Sequence, residues 1–323
     1  MTMPTITVPG LDRPLSRLIQ GAMMLREGDE LESSLALLDA AYARGITTFD
    51  LAQVYGGGTC DRVFGTWVRD RGLVGRVVMV AKGCHHSRDR KRVTPYDLEA
   101  DIADSLARTG LPRLDLWLFH RDDPAQAVGP LVEACTQAVR DGRIRAWGCS
   151  NWTVARLQAA IDHARTHDLI APVVNSPNFS LAAQLASPWG DDCITISGPD
   201  HAEDRAWHAT SGLPVLAWSS LARGFLAGGL TRATCAAMAD RYEEHVLRCY
   251  VSEANWQRQE RAMALARERS LSLPQVALAY VLNQDFPTCA MVGARSAAEM
   301  DDNLGALACP LDQATVRWLE SGD

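Results

Sequence analysis

An alternation restricts the possible folds more than any other feature of this chain. Short apolar runs, most of them closed by a polar residue, are followed by longer segments with helical hydrophobic spacing, and the pattern repeats along most of the length. The candidate strands read RLIQGAM (17–23), GITTFDL (45–51), RVVMVAKG (76–83), LDLWLFH (114–120), IRAWGCSN (144–151), APVVNSPN (171–178), LPVLAWSS (213–220) and TCAMVGA (288–294). Near-continuous apolar strands belong to a parallel sheet covered by helices on both faces. Between them, 29–45 places Leu31, Leu35, Leu37, Leu38 and Ala41 on one broad face before Gly45 stops the helix. Segment 94–110 opens with Thr94 as N-cap and Pro95 at the first helical position, and Gly110 ends it. Pro274 marks another helix start, and Ser296 is a plausible cap for the last helix. Eight such β-α units in 323 residues predict an α/β fold, a (β/α)8 TIM barrel, rather than an open doubly wound sheet. Residues 1–323 are expected to form a single domain. The least regular stretches, 180–213 and 227–251, are expected as long loops over the C-terminal mouth.

Charge and cysteine usage exclude several function classes. A net charge of −7, from 32 basic and 39 acidic residues without a long basic block, argues against nucleic acid or an anionic membrane surface as partner. The opening MTMPTITVPGLDRPLSRL lacks a basic region followed by an apolar core, and no window approaches about 18 apolar residues, so a cytoplasmic protein is expected. Nine scattered cysteines without C-x-x-C spacing speak against a disulfide framework or structural zinc, and eight histidines without an H-E-x-x-H helix give no metal site. The expected partner is a small molecule. Monomer and homo-oligomer stay open.

In a barrel of this kind function gathers where the strands end and the βα loops begin. There the chain delivers Asp50 from the second strand, Lys82 from the third, His120 from the fourth, Ser150 and Asn151 from the fifth, Asn175 or Ser176 from the sixth, and Trp218 and Ser219 from the seventh. Each alone is unremarkable: an Asp there often caps a helix, and a lone His is more often a satisfied structural residue. Together they have an acid-base logic. Asp50 holds Lys82 as an ion pair, and a cationic Lys82 near Tyr55 is expected to favour the phenolate, lowering a pKa that starts near 10 and making Tyr55 a proton donor. His120 would orient and polarise a substrate carbonyl while a hydride arrives from a nicotinamide cofactor. The glycines of TTFDLAQVYGGG suggest a phosphate cradle at first sight. A G-x-G-x-x-G motif starting at Gly56 would need glycine where Asp61 stands, so they are expected to form the turn into the next helix.

These residues carry a resemblance. TFDLAQVYGGG, VMVAKG and DLWLFH, supplying Asp50, Tyr55, Lys82 and His120, are similar to the catalytic pattern of the aldo-keto reductases. The resemblance covers essentially the whole chain and implies an NAD(P)-dependent carbonyl reductase with its cofactor at the barrel mouth. It assigns Gly21, Ala22 and Met23 to the cofactor, and Ser150 and Asn151 to the nicotinamide carboxamide, whose donors and acceptor such a pair can fix. Trp218 would stack on the ring. Ser219, Ser220, Leu221 and Arg223 would face the pyrophosphate, and Gly293, Arg295, Ser296, Glu299 and Asn303 the adenosine phosphate.

The chain departs from the family where a glutamine commonly follows an asparagine. Here VVNSPN leaves Asn175 or Ser176 to replace one carboxamide contact. Arg295 and Ser296 suit a 2'-phosphate, and Glu299 would repel one or accept from a free ribose hydroxyl, so NADP(H) is favoured over NAD(H). Met23, His85, Trp152, Asn178 and Phe179, with the segment around Trp189, are expected to line a pocket suited to a sugar or sugar-derived ketone. The rival expectation is a non-catalytic regulatory or sensor subunit binding cofactor on the same barrel. The intact set of four argues for the enzyme.

Overall fold

A computed structural model describes residues 2–190 and 193–323. They gather into two compact units. The first, Met1–Ser176 with Gly293–Ala297, opens with an antiparallel pair of short strands, β1 (Thr5–Ile6) and β2 (Leu15–Ser16). It continues with β3 (Leu18–Gly21), α1 (Leu31–Ala43), β4 (Thr48–Asp50), α2 (Thr59–Asp70), β5 (Val78–Gly83) and α3 (Pro95–Thr109). Then come β6 (Leu114–Phe119), α4 (Val128–Arg140), β7 (Ile144–Ser150), α5 (Val154–Thr166) and β8 (Asn175–Ser176). The second unit, Pro177–Val292 with Ala298–Asp323, carries α6 (Ala202–Ser211), β9 (Val215–Ala217), α7 (Cys235–Met238), α8 (Glu244–Tyr250) and α9 (Glu253–Arg269). It ends with α10 (Leu273–Leu282), β10 (Thr288–Val292), α11 (Ala297–Gly305) and α12 (Gln313–Ser321). Eight parallel strands close a barrel in the order β10-β3-β4-β5-β6-β7-β8-β9.

Each expected strand is present, shortened to the part that pairs. β5 and β10 are buried along their whole length, which explains why they read as unbroken apolar runs rather than alternating ones. The register Thr48↔Val78, Asp50↔Val80 and Lys82↔Leu118 keeps β4, β5 and β6 in step, so their C-terminal residues emerge together.

The helix signals act as read. Thr94 Oγ1 accepts from the Asp97 N–H at 3.2 Å, Pro95 is the first residue of α3, and Gly110 closes that helix with a φ of 62°. On α1, Leu35, Leu38 and Ala41 are buried while Leu31 and Leu37 lie half-buried at the edges of the face. The stretches 180–213 and 227–251, expected as long loops, also hold the short helices α6, α7 and α8. In α6 only His208 is buried, so no apolar stripe exists for periodicity to detect, and α7 spans one turn.

One glycine decides how closely two helices pack. Gly65 of α2 stands against the end of α3, where an added Cβ would lie 2.1 Å from the Thr109 carbonyl oxygen and 2.5 Å from its Cα. Because the obstacle is backbone, no rotamer change relieves it. Gly65→Ala is therefore expected to destabilise by roughly 2–3 kcal/mol despite alanine's better helix propensity. Chemical denaturation checks this, and a variant as stable as the parent would mean the helices stand further apart.

Candidate active site

The site is built from strand ends of the first unit. Asp50 closes β4, and the loop after it hangs on β5: Leu51 N–H donates to the Val80 carbonyl and Gln53 N–H to the Lys82 carbonyl, each at 2.8 Å. From the other side Arg108 Nη1 donates to the Gln53 carbonyl at 2.9 Å. Tyr55 follows, and then Gly56, Gly57 and Gly58 all take left-handed conformations, with φ of 57°, 61° and 94°. Any residue with a Cβ would be strained by about 1–2 kcal/mol at each such position, so the triplet is the turn that reverses the chain into α2. It begins at Thr59, slightly ahead of Asp61.

Lys82 joins the parts. Its Nζ donates to Asp50 Oδ1 at 2.5 Å, to the Leu51 carbonyl at 2.9 Å and to Tyr55 Oη at 3.4 Å, and it is 3% exposed. Burial works against the ammonium, but attraction to Asp50 and then Tyr55 outweighs it and holds the lysine above its ordinary value. Burial pushes the Asp50 carboxyl up, with Lys82 opposing. Lys82, held above its ordinary value, presents a cation to Tyr55.

The expected lowering of Tyr55 is corrected in its net direction. Lys82 does favour the phenolate, but burial is the larger influence and leaves Tyr55 above the usual tyrosine value. The phenol therefore stays protonated, as an acid must before it donates.

His120 stands beside them just past β6, its N–H donating to the Gly83 carbonyl at 2.7 Å. Its ring lies 5.7 Å from the Tyr55 ring at 82° and 4.8 Å from His85 at 76°. Burial first, then the Lys82 and Arg121 charges, push its pKa well below the ordinary histidine value, so the ring is neutral. Nδ1 has no hydrogen-bond partner among the described residues.

Four polar residues extend the site along β7 and β8. Ser150 Oγ donates to the Ser176 carbonyl at 2.7 Å, and Asn151 Nδ2 donates to the His120 carbonyl at 3.0 Å. Asn175 and Ser176, which form β8, are buried. Cys84 and Asn151, each the first residue after its strand, have φ of 59° and 60°. Non-glycine residues adopt this region only under constraint. Near β3, Ala22 N–H donates to the Asp50 carbonyl at 2.9 Å, while Met23 is 50% exposed. Gly293, Arg295 and Ser296 are exposed just before α11.

In the second unit, Ser219, Ala222, Arg223 and Gly224 all have positive φ. Arg223 pairs with Glu243 at 3.1 Å and lies over the Trp189 ring at 4.7 Å, with Nε left without a partner. Trp218 meets Trp189 at 5.7 Å, and its Nε1 is also unpartnered. Ser220 Oγ donates to the Ala217 carbonyl at 2.9 Å, and Leu221 is half-buried. On α11, Glu299 is exposed and Asn303 buried.

Of the expected substrate contacts, Trp152, Asn178 and Phe179 are buried and engaged with protein neighbours. Trp152 packs on Phe119 at 5.3 Å and donates Nε1 to the Arg121 carbonyl at 3.2 Å. Phe179 sits against Tyr280 and Phe286. Asn178 Oδ1 accepts from Thr195 and Ser197, and its Nδ2 donates to Tyr250 Oη at 3.3 Å. His85, by contrast, does reach the site, through the ring of His120. The sequence reading missed Arg121, although a cation directly after a strand-end histidine was visible in the string HRDD.

Comparison with known proteins agrees with this geometry. The model of the aldo/keto reductase family matches residues 17–322. A putative voltage-gated potassium channel subunit beta of Schizosaccharomyces pombe is 24% identical over 309 residues, covering 92% of this chain and 85% of that protein. A probable subunit of the same description from Oryza sativa subsp. japonica is 24% identical over 286 residues, with 86% and 83% covered. Among solved structures, an aldo-keto reductase from Klebsiella pneumoniae in complex with NADPH superposes with a TM-score of 0.71 at 22% identity, covering 99% of this chain and 94% of that one.

His120 makes stability depend on pH. Its native pKa lies below the unfolded value of 6.5, so under acid conditions the unfolded chain binds a proton that the native chain refuses. Stability is thus complete above pH 6.5 and falls below it, by about 1 kcal/mol per pH unit for this one group. Denaturation between pH 7.5 and 5.5 should show a shallower acid slope in His120→Asn than in the parent. Equal slopes would show that the native ring takes up its proton.

Proposed function

The chain belongs to the aldo/keto reductase family, and from that premise we propose an NAD(P)-dependent oxidoreductase that interconverts a carbonyl and an alcohol with Tyr55 as its acid. The observation that carries this reading is the continuous contact from Asp50 through Lys82 to Tyr55, at 2.5 and 3.4 Å, with the neutral His120 ring 5.7 Å from the phenol ring. Residues 1–323 act as one barrel domain in this reading, supported by the family match and the closed strand order.

The residues present fit a dinucleotide phosphate. Arg295 and Ser296 precede the start of α11, where an arginine, a hydroxyl and the positive end of a helix dipole suit phosphate. At the positive-φ turn Ala222–Arg223–Gly224 the Ala222 and Gly224 N–H groups are taken up by the Ser219 and Leu221 carbonyls, so it is the Arg223 guanidinium, whose Nε has no hydrogen-bond partner among the described residues, that would face a phosphate. Ser150 and Asn151, with Asn175 or Ser176, would orient the nicotinamide carboxamide, Trp218 would face its ring, and Gly21, Ala22 and Met23 would lie beside it. NADP(H) is favoured over NAD(H). When bound, the nicotinamide supplies or takes up the hydride.

The protein's part is proton transfer and positioning. Tyr55 Oη donates its proton to the carbonyl oxygen as charge builds there, and the phenolate that forms is met by the Lys82 ammonium already in place. Lys82 gains most once that charge exists, so it stabilises the transition state more than the bound substrate. Asp50 keeps Lys82 charged and aimed. His120, neutral, holds the substrate oxygen without competing for the proton. A sugar or sugar-derived ketone is the substrate class proposed, and a cytoplasmic setting accords with nine free cysteines.

The names of the two relatives from yeast and rice favour a second reading, a regulatory subunit that binds cofactor without turnover. Turnover separates the readings. Tyr55→Phe is expected to lower single-turnover hydride transfer by at least about 100-fold. A rate within twofold of the parent would remove Tyr55 as the acid. Lys82→Met should lose turnover comparably while its NADPH dissociation constant stays within about threefold, since no contact to the cofactor is assigned to it. Fluorescence titration of the parent should give tighter binding of NADPH than of NADH, and the reverse order would overturn the cofactor preference.

A further inference from the structure

Arg121 is a buried cation that the reduction chemistry leaves unused. It follows His120 directly beyond β6 and is 6% exposed. Among the described residues its guanidinium makes one hydrogen bond, from Nη1 to the His120 carbonyl at 3.0 Å, and no ion pair. That carbonyl already accepts from Asn151 Nδ2 at 3.0 Å.

Two other arginines have more partners: the half-buried Arg156 has a carboxylate, and Arg258, as buried as Arg121, has two neutral acceptors. Arg156 donates to both oxygens of Asp122 at 3.1 Å, and Arg258 donates to the Glu320 carbonyl and to Asn255 Oδ1. Among the described residues no carboxylate lies within ion-pair distance of Arg121, and its field falls on Tyr55, His85 and His120, with the like charge of Lys82 also acting on His120. A buried charge kept without a partner is strongly disfavoured unless something supplies the counter-charge. The backbone beneath it is fixed, because the wholly buried Trp152 donates Nε1 to the Arg121 carbonyl at 3.2 Å. With one N–H occupied, the rest of the guanidinium fork keeps the spacing that matches two oxygens of a carboxylate or phosphate.

We propose that the substrate is a small aldehyde or ketone bearing an anionic oxygen group, a carboxylate or a phosphate, which Arg121 grips while the carbonyl oxygen lies against Tyr55 and His120. This rests on the reductase reading and narrows its substrate class, placing the negative charge a few atoms from the reacting carbon. Arg121 is then the specificity-determining residue of the site. A neutral polyol leaves its guanidinium uncompensated.

Two matched pairs test it in NADPH-saturated protein: succinic semialdehyde against butanal, and glycolaldehyde phosphate against glycolaldehyde. In the parent, kcat/KM should favour the charged member of at least one pair by about tenfold or more, and the pair that responds tells carboxylate from phosphate. Arg121→Met should bring that ratio to within about threefold of unity, and Arg121→Lys should fall between, since lysine keeps the charge but loses the fork. Calorimetry with succinate and with ethyl phosphate reads the same site without turnover, and one of these should bind at least tenfold more weakly to the Met variant. Ratios near unity in the parent, or anion binding unaltered in Arg121→Met, would overturn the proposal while leaving the reductase intact. If the parent reduces no carbonyl at all, the reductase reading fails and the calorimetry alone decides Arg121. Circular dichroism establishes that each variant is folded, and Arg121→Lys carries the comparison should the Met variant not fold.

Discussion

The buried contact between Lys82 and Asp50 is the constraint around which the site is organised. A lone ammonium or carboxylate at that depth would be driven to its neutral form, whereas the pair remains charged because each removes the other's reason to neutralise. Its two members come from neighbouring strands, so parallel register, and not loop geometry, sets the distance between them. Tyr55 and His120 then inherit their states from that charge and from burial, the first kept protonated and the second kept neutral.

Precision around this pair is obtained from main chain held in unfavourable conformations. Cys84 and Asn151 sit in the left-handed region at the first position beyond their strands, and each is fixed by further bonds. The Cys84 N–H donates to Asp101 Oδ2 at 2.7 Å, and the Asn151 side chain bridges to His120. Such strain persists only where the surroundings over-determine it. Here the surroundings are strands whose side chains are fully packed, with Trp117 and Trp147 completely buried beneath.

Much of this was legible in the sequence because it depends on local rules. Strand runs, the cap at Thr94, the helix start at Pro274, and polar strand ends at Asp50, Lys82 and His120 all follow from period and residue type. What escaped depends on neighbours distant in the chain. Nothing local says that Trp152 and Phe179 face packed side chains, because an aromatic reads the same on a rim and in a core. The net direction at Tyr55 escaped too: proximity to a lysine can be inferred, but the weight of burial against it cannot. Helix α6 escaped because it buries one histidine and offers no stripe. Arg121 was visible as a letter, and its isolation from carboxylates became apparent only in three dimensions.

The loop that carries Tyr55 has a consequence for how such a protein diversifies. The segment between Asp50 and Tyr55 is anchored through backbone N–H and carbonyl groups to β5 and Arg108, and the glycine turn after it is set by backbone angles. Side chains at Gln53 and Val54 take no part in the backbone bonds that anchor the loop, and Val54 is 41% exposed. Gln53 Nε2 does donate to Asp104 at 3.2 Å, beside Arg108, so it is Val54 that can be rewritten without displacing the acid. The scaffold separates the machinery of proton transfer, which is written in main chain and a buried ion pair, from a neighbouring position open to drift.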